Sequence, residues 1–361
     1  MRYTRSRGRL KQLETDMNYC GIDLANKTSA ICIVDEKDRV LRERSIETES
    51  GDLAEALSGL GRLRVVIEAS PLAEWVAGLV EQGGHEAVII DPRAAKHLVS
   101  SKKKTDARDA RTLARLSRSG WYTQVHRKSA GARELRSRLQ GRQALLKAKG
   151  ALQSSVRGLL RAHGIRVGEI SEGEFSAHVL GLAKARVPGL VGTLEALLGS
   201  WDHARRGVLS LEKALNREER NDPVIRRLRT VPSVGPQVSA AFRATIDDPG
   251  RFRRSEEVAD YVGLAPRVYQ SGETEYRGRI SKEGDKLLRW LLVEAGHVLL
   301  TRGRDCALKR WGKRIEAKKG SAKAKVALAR KLAILLWRLW RDERDFEDWP
   351  QSASGSAAQP A

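Results

Sequence analysis

Cysteine is scarce in this chain. Only Cys20, Cys32 and Cys306 occur among 361 residues, and no two form a CxxC pair. A zinc knuckle and a disulfide framework are thereby excluded. Cys20 and Cys32 lie in apolar, strand-like runs and read as core residues. Long apolar runs are missing too: no stretch of 18 apolar residues exists, so no membrane span is expected. The first 16 residues carry five basic residues but lack the apolar core of a signal peptide. They read as a basic tail or as an artefact of start choice, because Met17 directly precedes the first strand. Acids are also in short supply, 45 against 67 lysines and arginines.

The resulting net charge of +22 and pI of about 10.3 point to a polyanionic partner, bound through phosphate neutralisation and counterion release. The rival is an anionic membrane surface, but no basic amphipathic anchor stands apart from the folded pattern. With 41% hydrophobic and 31% charged residues, the chain is a soluble globular protein, long enough for two or three cores.

Four acids carry the chemistry. Asp23 sits in the apolar stretch Asn18–Ala25, and Glu68 ends another, Leu63–Glu68. Asp106 and Asp109 are three apart, so on a helix they share one face. Two acids at strand positions and two on one helical face can converge on a pair of divalent metals. Oxygen ligands favour Mg2+, which acts on phosphates.

Residues 17–125 alternate between strand and helix. Tyr19–Leu24, Ala30–Val34 and Arg39–Ile46 read as three strands, the last two joined as a hairpin by a polar turn. Leu53–Leu60 is expected as a helix, Leu63–Ile67 as a strand buried on both faces, Leu72–Gln82 as a helix opened by Pro71, and His85–Ile90 as a fifth strand. A basic loop, Ser100–Thr105, with Lys102, Lys103 and Lys104, precedes the helix bearing the Asp pair. This order of elements and acids is that of a ribonuclease-H-like α/β domain. Residues 126–220 are expected to be helical, with Leu135, Leu139, Leu146, Leu152 and Leu159 along one seam. An ordinary bundle and an intersubunit coiled coil both fit those imperfect heptads. Gly164–Pro188 is less regular and reads as the turn of a helical hairpin. Residues 221–345 read as a third, mainly helical unit. Within it, Val231–Pro236 suggests a helix-hairpin-helix turn with Ser233 where a second glycine is usual. A loop over Gly263–Ser281 follows, then helices Lys286–Leu300 and Ala322–Trp340. The acidic, then Ser/Ala-rich tail, 346–361, is expected to be disordered.

The segment Gly263–Gly284 is a second constellation. Ser271 precedes Gly272, so its hydroxyl is a candidate for presentation on a tight turn. Arg267, Arg277, Arg279 and Lys282 are placed to surround a phosphate. Ser281 is the rival serine, at a position suited to capping the next helix.

Gly-Ile-Asp23, Ile-Glu-Ala69, Lys104-Thr-Asp-Ala-Arg-Asp-Ala-Arg111, Gly-Leu-Ala-Pro266 through Ser-Gly272, and Gly-Arg-Ile-Ser-Lys-Glu-Gly284 occur in this order. The ordered set resembles the DEDD-plus-serine insertion-sequence transposases, the insertion-sequence one-ten family of bridge-RNA-guided recombinases. The resemblance covers roughly residues 17–340. It implies a RuvC-like amino-terminal domain, a helical coiled-coil region and a carboxy-terminal transposase domain. By resemblance, Asp23, Glu68, Asp106 and Asp109 hold Mg2+ and Ser271 is the nucleophile. The implied partners are donor and target DNA, a noncoding bridge RNA and further copies of the chain as a dimer or tetramer. The implied location is the bacterial cytoplasm, at the nucleoid. The alternatives are a RuvC-type structure-selective nuclease, which leaves Ser271 idle, and a non-enzymatic nucleic-acid-binding protein whose acids are structural.

Overall fold

The computed structural model describes residues 17–91, 106–271 and 274–348. Lys102, Lys103, Lys104 and the basic tail 1–16 lie outside these residues. The chain divides into two compact units, one ending at Arg127 and one beginning at Lys128.

The first unit is built on five strands: β1 (Met17–Asp23), β2 (Thr28–Val34), β3 (Val40–Glu47), β4 (Arg62–Glu68) and β5 (Glu86–Ile90). Helix α1 (Ser50–Leu57) precedes β4, α2 (Ala73–Gln82) precedes β5, and α3 (Asp106–Ser119) follows. The sheet order is β3-β2-β1-β4-β5. The first three strands pair antiparallel, while β1–β4 and β4–β5 pair parallel. This mixed sheet is consistent with a ribonuclease-H-like domain.

Strand periodicity explains the layering. Cys20, Ile22, Ile31, Ile33, Leu63, Val65 and Ile67 point to one face, where Leu53, Leu57, Val76 and Val80 of α1 and α2 cover them. Ala30, Cys32, Val34, Val66, Val88 and Ile90 point to the other, against Ala110, Leu113, Ala114 and Leu116 of α3. Each such Val, Ile or Leu contributes about 1.5–3 kcal/mol by leaving water. Burial pushes the Cys20 and Cys32 thiols up, so both stay protonated and inert.

The second unit opens with α4 (Ala130–Ala162), α5 (Phe175–Arg186) and α6 (Val191–Asn221). Helices α4 and α6 run antiparallel. Leu160 packs with Leu194 at the far end, and Arg142 pairs with Glu212 nearer the root, Nη2 to Oε1 at 2.5 Å. A Cβ on Gly207 would lie 2.8 Å from Leu145 Cδ1, so the glycine sets the close approach between them. Of the leucine seam, Leu135 and Leu139 are buried at the root, Leu152 and Leu159 are partly buried near the tip, and Leu146 between them is half-buried. The supposed turn 164–188 contains helix α5, whose Phe175 ring lies 4.9 Å from that of Trp201.

The root shares its core with α7 (Pro223–Leu228), α8 (Pro236–Ile246), α9 (Ser255–Tyr261), α10 (Lys286–Thr301) and α12 (Ser321–Arg341). Between α7 and α8, Ser233 takes φ +68°, the left-handed conformation usually left to glycine, so serine is tolerated in the turn at some strain.

Three expectations change. The segment Gly263–Ser281 is not a loop but carries a hairpin, β6 (Pro266–Ser271) and β7 (Thr274–Ile280). Helix α11 (Ala307–Lys319) was not expected at all. The tail is tied down as far as Asp348: Phe346 N–H donates to Thr230 Oγ1 at 2.8 Å, and Asp348 Oδ1 accepts from Ala307 N–H at 2.9 Å. The remainder, 349–361, lies outside the described residues. Among the described residues, no helix is long and apolar enough to cross a membrane.

Candidate active site

Asp23 is the last residue of β1 and Glu68 the last of β4. The parallel register pairs Ile22 with Ile67, so the two acids emerge side by side at the carboxyl ends of adjacent central strands. Both are half-buried.

Helix α3 crosses the same strands in the opposite sense. Late in the helix, Ser117 Oγ donates to Arg64 O at 2.7 Å, near the start of β4. Early in the helix, Ala110 and Ala114 meet β1 at Gly21. The first turn of α3, with Asp106 and Asp109, therefore lies towards the strand ends that carry Asp23 and Glu68. Asp106 is four residues before Ala110 and Asp109 four before Leu113, both buried on the sheet. The two acids thus extend the sheet-facing row beyond its apolar part. Asp106 is exposed and Asp109 half-buried.

Three cations of α3, Arg111, Arg115 and Arg118, are latched to the β3 side of the sheet. Arg111 Nη2 lies 2.5 Å from Glu43 Oε2, and Arg115 Nε 3.0 Å from Asp38 Oδ2. The hydrogen bond to Glu43 pushes the Arg111 guanidinium up in pKa. These pairs fix the rotation of α3 and keep its guanidinium groups occupied at the edge.

Four carboxylates on one end of a sheet are a donor set of hard oxygens that fits Mg2+. Ser70 Oγ, two residues beyond Glu68, is buried with no hydrogen-bond partner among the described residues, an oxygen left over at the same strand end. The side chains themselves are not drawn into a ligand shell: among the described residues no three His, Cys, Asp or Glu are gathered closely enough to hold a metal.

In the second unit, Ser271 ends β6 and pairs with Thr274 of β7. Two residues, Gly272 and Glu273, remain for the connection and lie outside the described residues. The backbone of Ser271 therefore sits at the free end of a hairpin. At the hairpin base, Arg267 Nη2 donates to Ser281 O at 3.1 Å. Arg279 and Lys282 are exposed; the side chain of Arg277 lies outside the described residues. Ser281 does not cap α10. Asp285 does, its Oδ1 accepting from Leu288 N–H at 2.8 Å, and its Oδ2 pairs with Arg136 of α4 at 2.5 Å. Lys282 at φ +59° and Gly284 at φ +93° turn the chain first, so the helix cannot start at Ser281.

The base of the hairpin is interlocked. A Cβ on Gly263 (φ +73°) would lie 1.8 Å from Glu283 O, and one on Gly284 2.1 Å from Tyr261 O. Both obstacles are backbone, which no rotamer can move aside. Gly263→Ala is expected to cost about 3 kcal/mol or more through overpacking and positive-φ strain. Urea unfolding of the purified protein measures it; an unchanged midpoint would show that the two turns are not interlocked.

Sequence reasoning passed over α11. Its signal was present as Leu308, Trp311 and Ile315 at spacings of three and four, set among Lys309, Arg310, Lys313 and Arg314.

An acid-bearing mixed sheet in a strongly basic chain is compatible with nucleic-acid chemistry, and the comparisons with known proteins define the class, the DNA transposases and recombinases. A family model described as "Transposase IS116/IS110/IS902 family" matches residues 225–311, and a DEDD transposase model of IS110 elements matches residues 20–165. A probable family 20 transposase of Pseudomonas aeruginosa is 28% identical over 333 residues, covering 90% of this chain and 97% of that protein. The transposase for insertion sequence element IS1111A of Coxiella burnetii is 27% identical, covering 90% of each. A pilin gene-inverting protein of Moraxella lacunata is 32% identical over 123 residues, 33% of this chain and 38% of that protein. The chain belongs to the IS110 family of insertion-sequence transposases. It is a DNA transposase, and a DEDD domain of this kind carries a general dependence on divalent metal.

Proposed function

We propose that this transposase cuts and rejoins DNA through a phosphoserine intermediate at Ser271, with Mg2+ held by Asp23, Glu68, Asp106 and Asp109, and that a bridge RNA selects the sites. The observation that carries the reading is the Ile22–Ile67 register, with two acids side by side at the strand ends towards which the acid-bearing start of α3 points. Bound there, Mg2+ would offset negative charge on the scissile phosphate. Ser271 Oγ attacks phosphorus. The Oγ–P bond forms, the P–O bond to the leaving strand breaks, and the serine proton ends on the released DNA hydroxyl. Because the ester keeps the energy of the phosphodiester, a second DNA hydroxyl can displace Ser271 without ATP. Arg267, Arg279 and Lys282, at the base of the same hairpin, bind backbone phosphates of the DNA away from the cut, with Arg277 as a fourth cation by sequence. A relative named for inverting a pilin gene supports joining between two DNA sites, not cutting alone.

The test is recombination between donor and target plasmids, with and without RNA transcribed from the flank of the element. Product is expected only with RNA and Mg2+. Asp23→Ala, Glu68→Ala and Asp109→Ala should each abolish strand cleavage while DNA binding persists. Full cleavage by Asp109→Ala, or in EDTA, would remove the metal site from the reading; RNA-independent product would remove the guide.

A further inference from the structure

Between Arg302 and Lys331, in α11 and the first half of α12, the chain holds twelve Lys and Arg against two acids, Asp305 and Glu316. Ten of the 22 excess positive charges therefore sit in 30 residues. Both acids are already engaged: Arg310 Nη1 is 2.5 Å from Asp305 Oδ2, and Lys313 Nζ 2.8 Å from Glu316 Oε2. Hydrogen bonds from Lys313 and Ser321 hold the Glu316 carboxyl below the usual range. Arg314, Lys318, Lys319 and Lys323 are exposed, and among the described residues none has an acidic partner.

The other side of α11 is fixed. Leu308, Trp311 and Ile315 pack on the cluster of Leu299, Leu300, Cys306, Ala324 and Leu328. Gly312 allows this, since a Cβ there would lie 2.7 Å from Leu328 Cδ1. The cations are thus mounted on a rigid support. Arg310, Arg314 and Lys318 follow one another at i, i+4, an arrangement of like charges that costs helix stability. A surface that only kept the protein soluble would mix signs.

Helix α4 is a control within the same chain, because it is basic too. There four of the cations serve the fold: Arg136 pairs with Asp285, Arg142 with Glu212 and Lys149 with Glu172, and Arg157 donates to the carbonyls of Val167 and Gly168. In α11, Lys309, Arg310 and Lys313 are engaged in the same way, with Gly303 O, Asp305 and Glu316, but among the described residues Arg314, Lys318 and Lys319 have no such use.

The chemistry of the face selects its partner. Among the described residues of this segment no large hydrophobic side chain is exposed, so nothing would insert into a membrane. No exposed aromatic offers a stacking platform for unpaired bases; Trp311 packs inward with Lys331 Nζ 6.0 Å from its ring centroid. What remains is a row of cations for the phosphates of a duplex. We propose that α11 and the start of α12 form a sequence-independent docking surface for duplex DNA. It lies at the end of α10 remote from the hairpin base, about 24 Å away along that helix. The proposal rests on the transposase reading only in preferring DNA to double-stranded RNA.

The experiment uses the full chain and the variant Arg314→Gln/Lys318→Gln/Lys319→Gln/Lys323→Gln. Binding to a 40-base-pair duplex of arbitrary sequence and to an RNA hairpin of equal length is measured in EDTA across a salt series. The matched control, Lys184→Gln/Arg206→Gln/Lys213→Gln/Arg217→Gln, removes the same charge from α5 and α6. The first variant should lose roughly tenfold or more in duplex affinity at moderate salt. Its log–log salt slope should become shallower by about 0.9 for each phosphate no longer neutralised, equally for any sequence. The control should change little. Lys318→Gln/Lys319→Gln alone, confined to the exposed last turn, should show part of the loss with the thermal midpoint unchanged. Equal loss in the control would mean net charge and no surface. Retained DNA affinity with lost RNA affinity would assign the face to RNA. Either result overturns the proposal, and neither bears on Ser271, since no strand is cut in EDTA.

Discussion

Ser271→Ala is expected to bind DNA and RNA as the parent does and to form no covalent adduct. Alanine has no oxygen to attack phosphorus, and the hairpin does not need one to form. Ser271 is joined to β7 through its backbone pairing with Thr274, which alanine preserves. On a denaturing gel of labelled DNA, the parent should give a protease-sensitive band of protein size, and Ser271→Ala none. Recombination should fall to background, a loss of about 10⁴-fold or more, as when any activated nucleophile is removed. Ser271→Cys should keep a trace, since sulfur is nucleophilic but sits on a longer bond. Ser281→Ala separates the two serines. Its Oγ accepts only a long hydrogen bond of 3.4 Å from Glu283 N–H, and the backbone carbonyl that Arg267 grips is unchanged by the substitution. It should retain the adduct. If Ser271→Ala cuts DNA at the parental rate and neither protein forms an adduct, water is the nucleophile and the chain acts as a RuvC-type nuclease. An adduct lost in Ser281→Ala but kept in Ser271→Ala would move the nucleophile ten residues along.

The two halves of this chemistry differed in how plainly the sequence carried them. The sheet was legible because its central strands are near-continuous apolar runs. Leu63–Ile67 has no polar interruption but Arg64, and the run stops at Glu68. The Asp pair was legible because a spacing of three has one meaning on a helix. The β6–β7 hairpin was not, because it is a sheet of two short strands with no third neighbour, and Gly272, Gly278 and the cations read as loop. Helix α11 was hidden by Gly312, a poor helix former that is there for the close approach of Leu328. Helix α5 was hidden because its buried stripe, Phe175, Val179 and Ala183, is diluted by Leu180 and Leu182 on other faces. Only for α11 did a tertiary contact outweigh the local pattern; the other two patterns were weak in themselves.

Gly21→Ala should disable cleavage without touching a single acid. The added Cβ would lie 2.2 Å from Ala110 O, 2.3 Å from Ala114 N and 2.6 Å from Leu113 Cβ. The first two obstacles are the backbone of α3, so no side-chain deletion on that helix relieves them. Ordinary packing needs about 3.4 Å, so α3 must back away from β1 by about 1 Å, and a displacement of that size at a reacting centre costs about 100-fold in rate. The displaced turn is the one next to Asp106 and Asp109, whereas Asp23 and Glu68 stay on the sheet. Overpacking should also lower stability by about 1–3 kcal/mol. Activity is therefore read well below the unfolding temperature, with duplex binding as the check on folding. Gly78→Ala is the control: it lies in α2 with nothing within 4 Å of its Cβ, and it should leave cleavage unchanged and stability equal or slightly raised. Cleavage by Gly21→Ala at the parental rate would mean that the distance between α3 and β1 does not matter to the reaction. Asp106 and Asp109 would then have no part in the site.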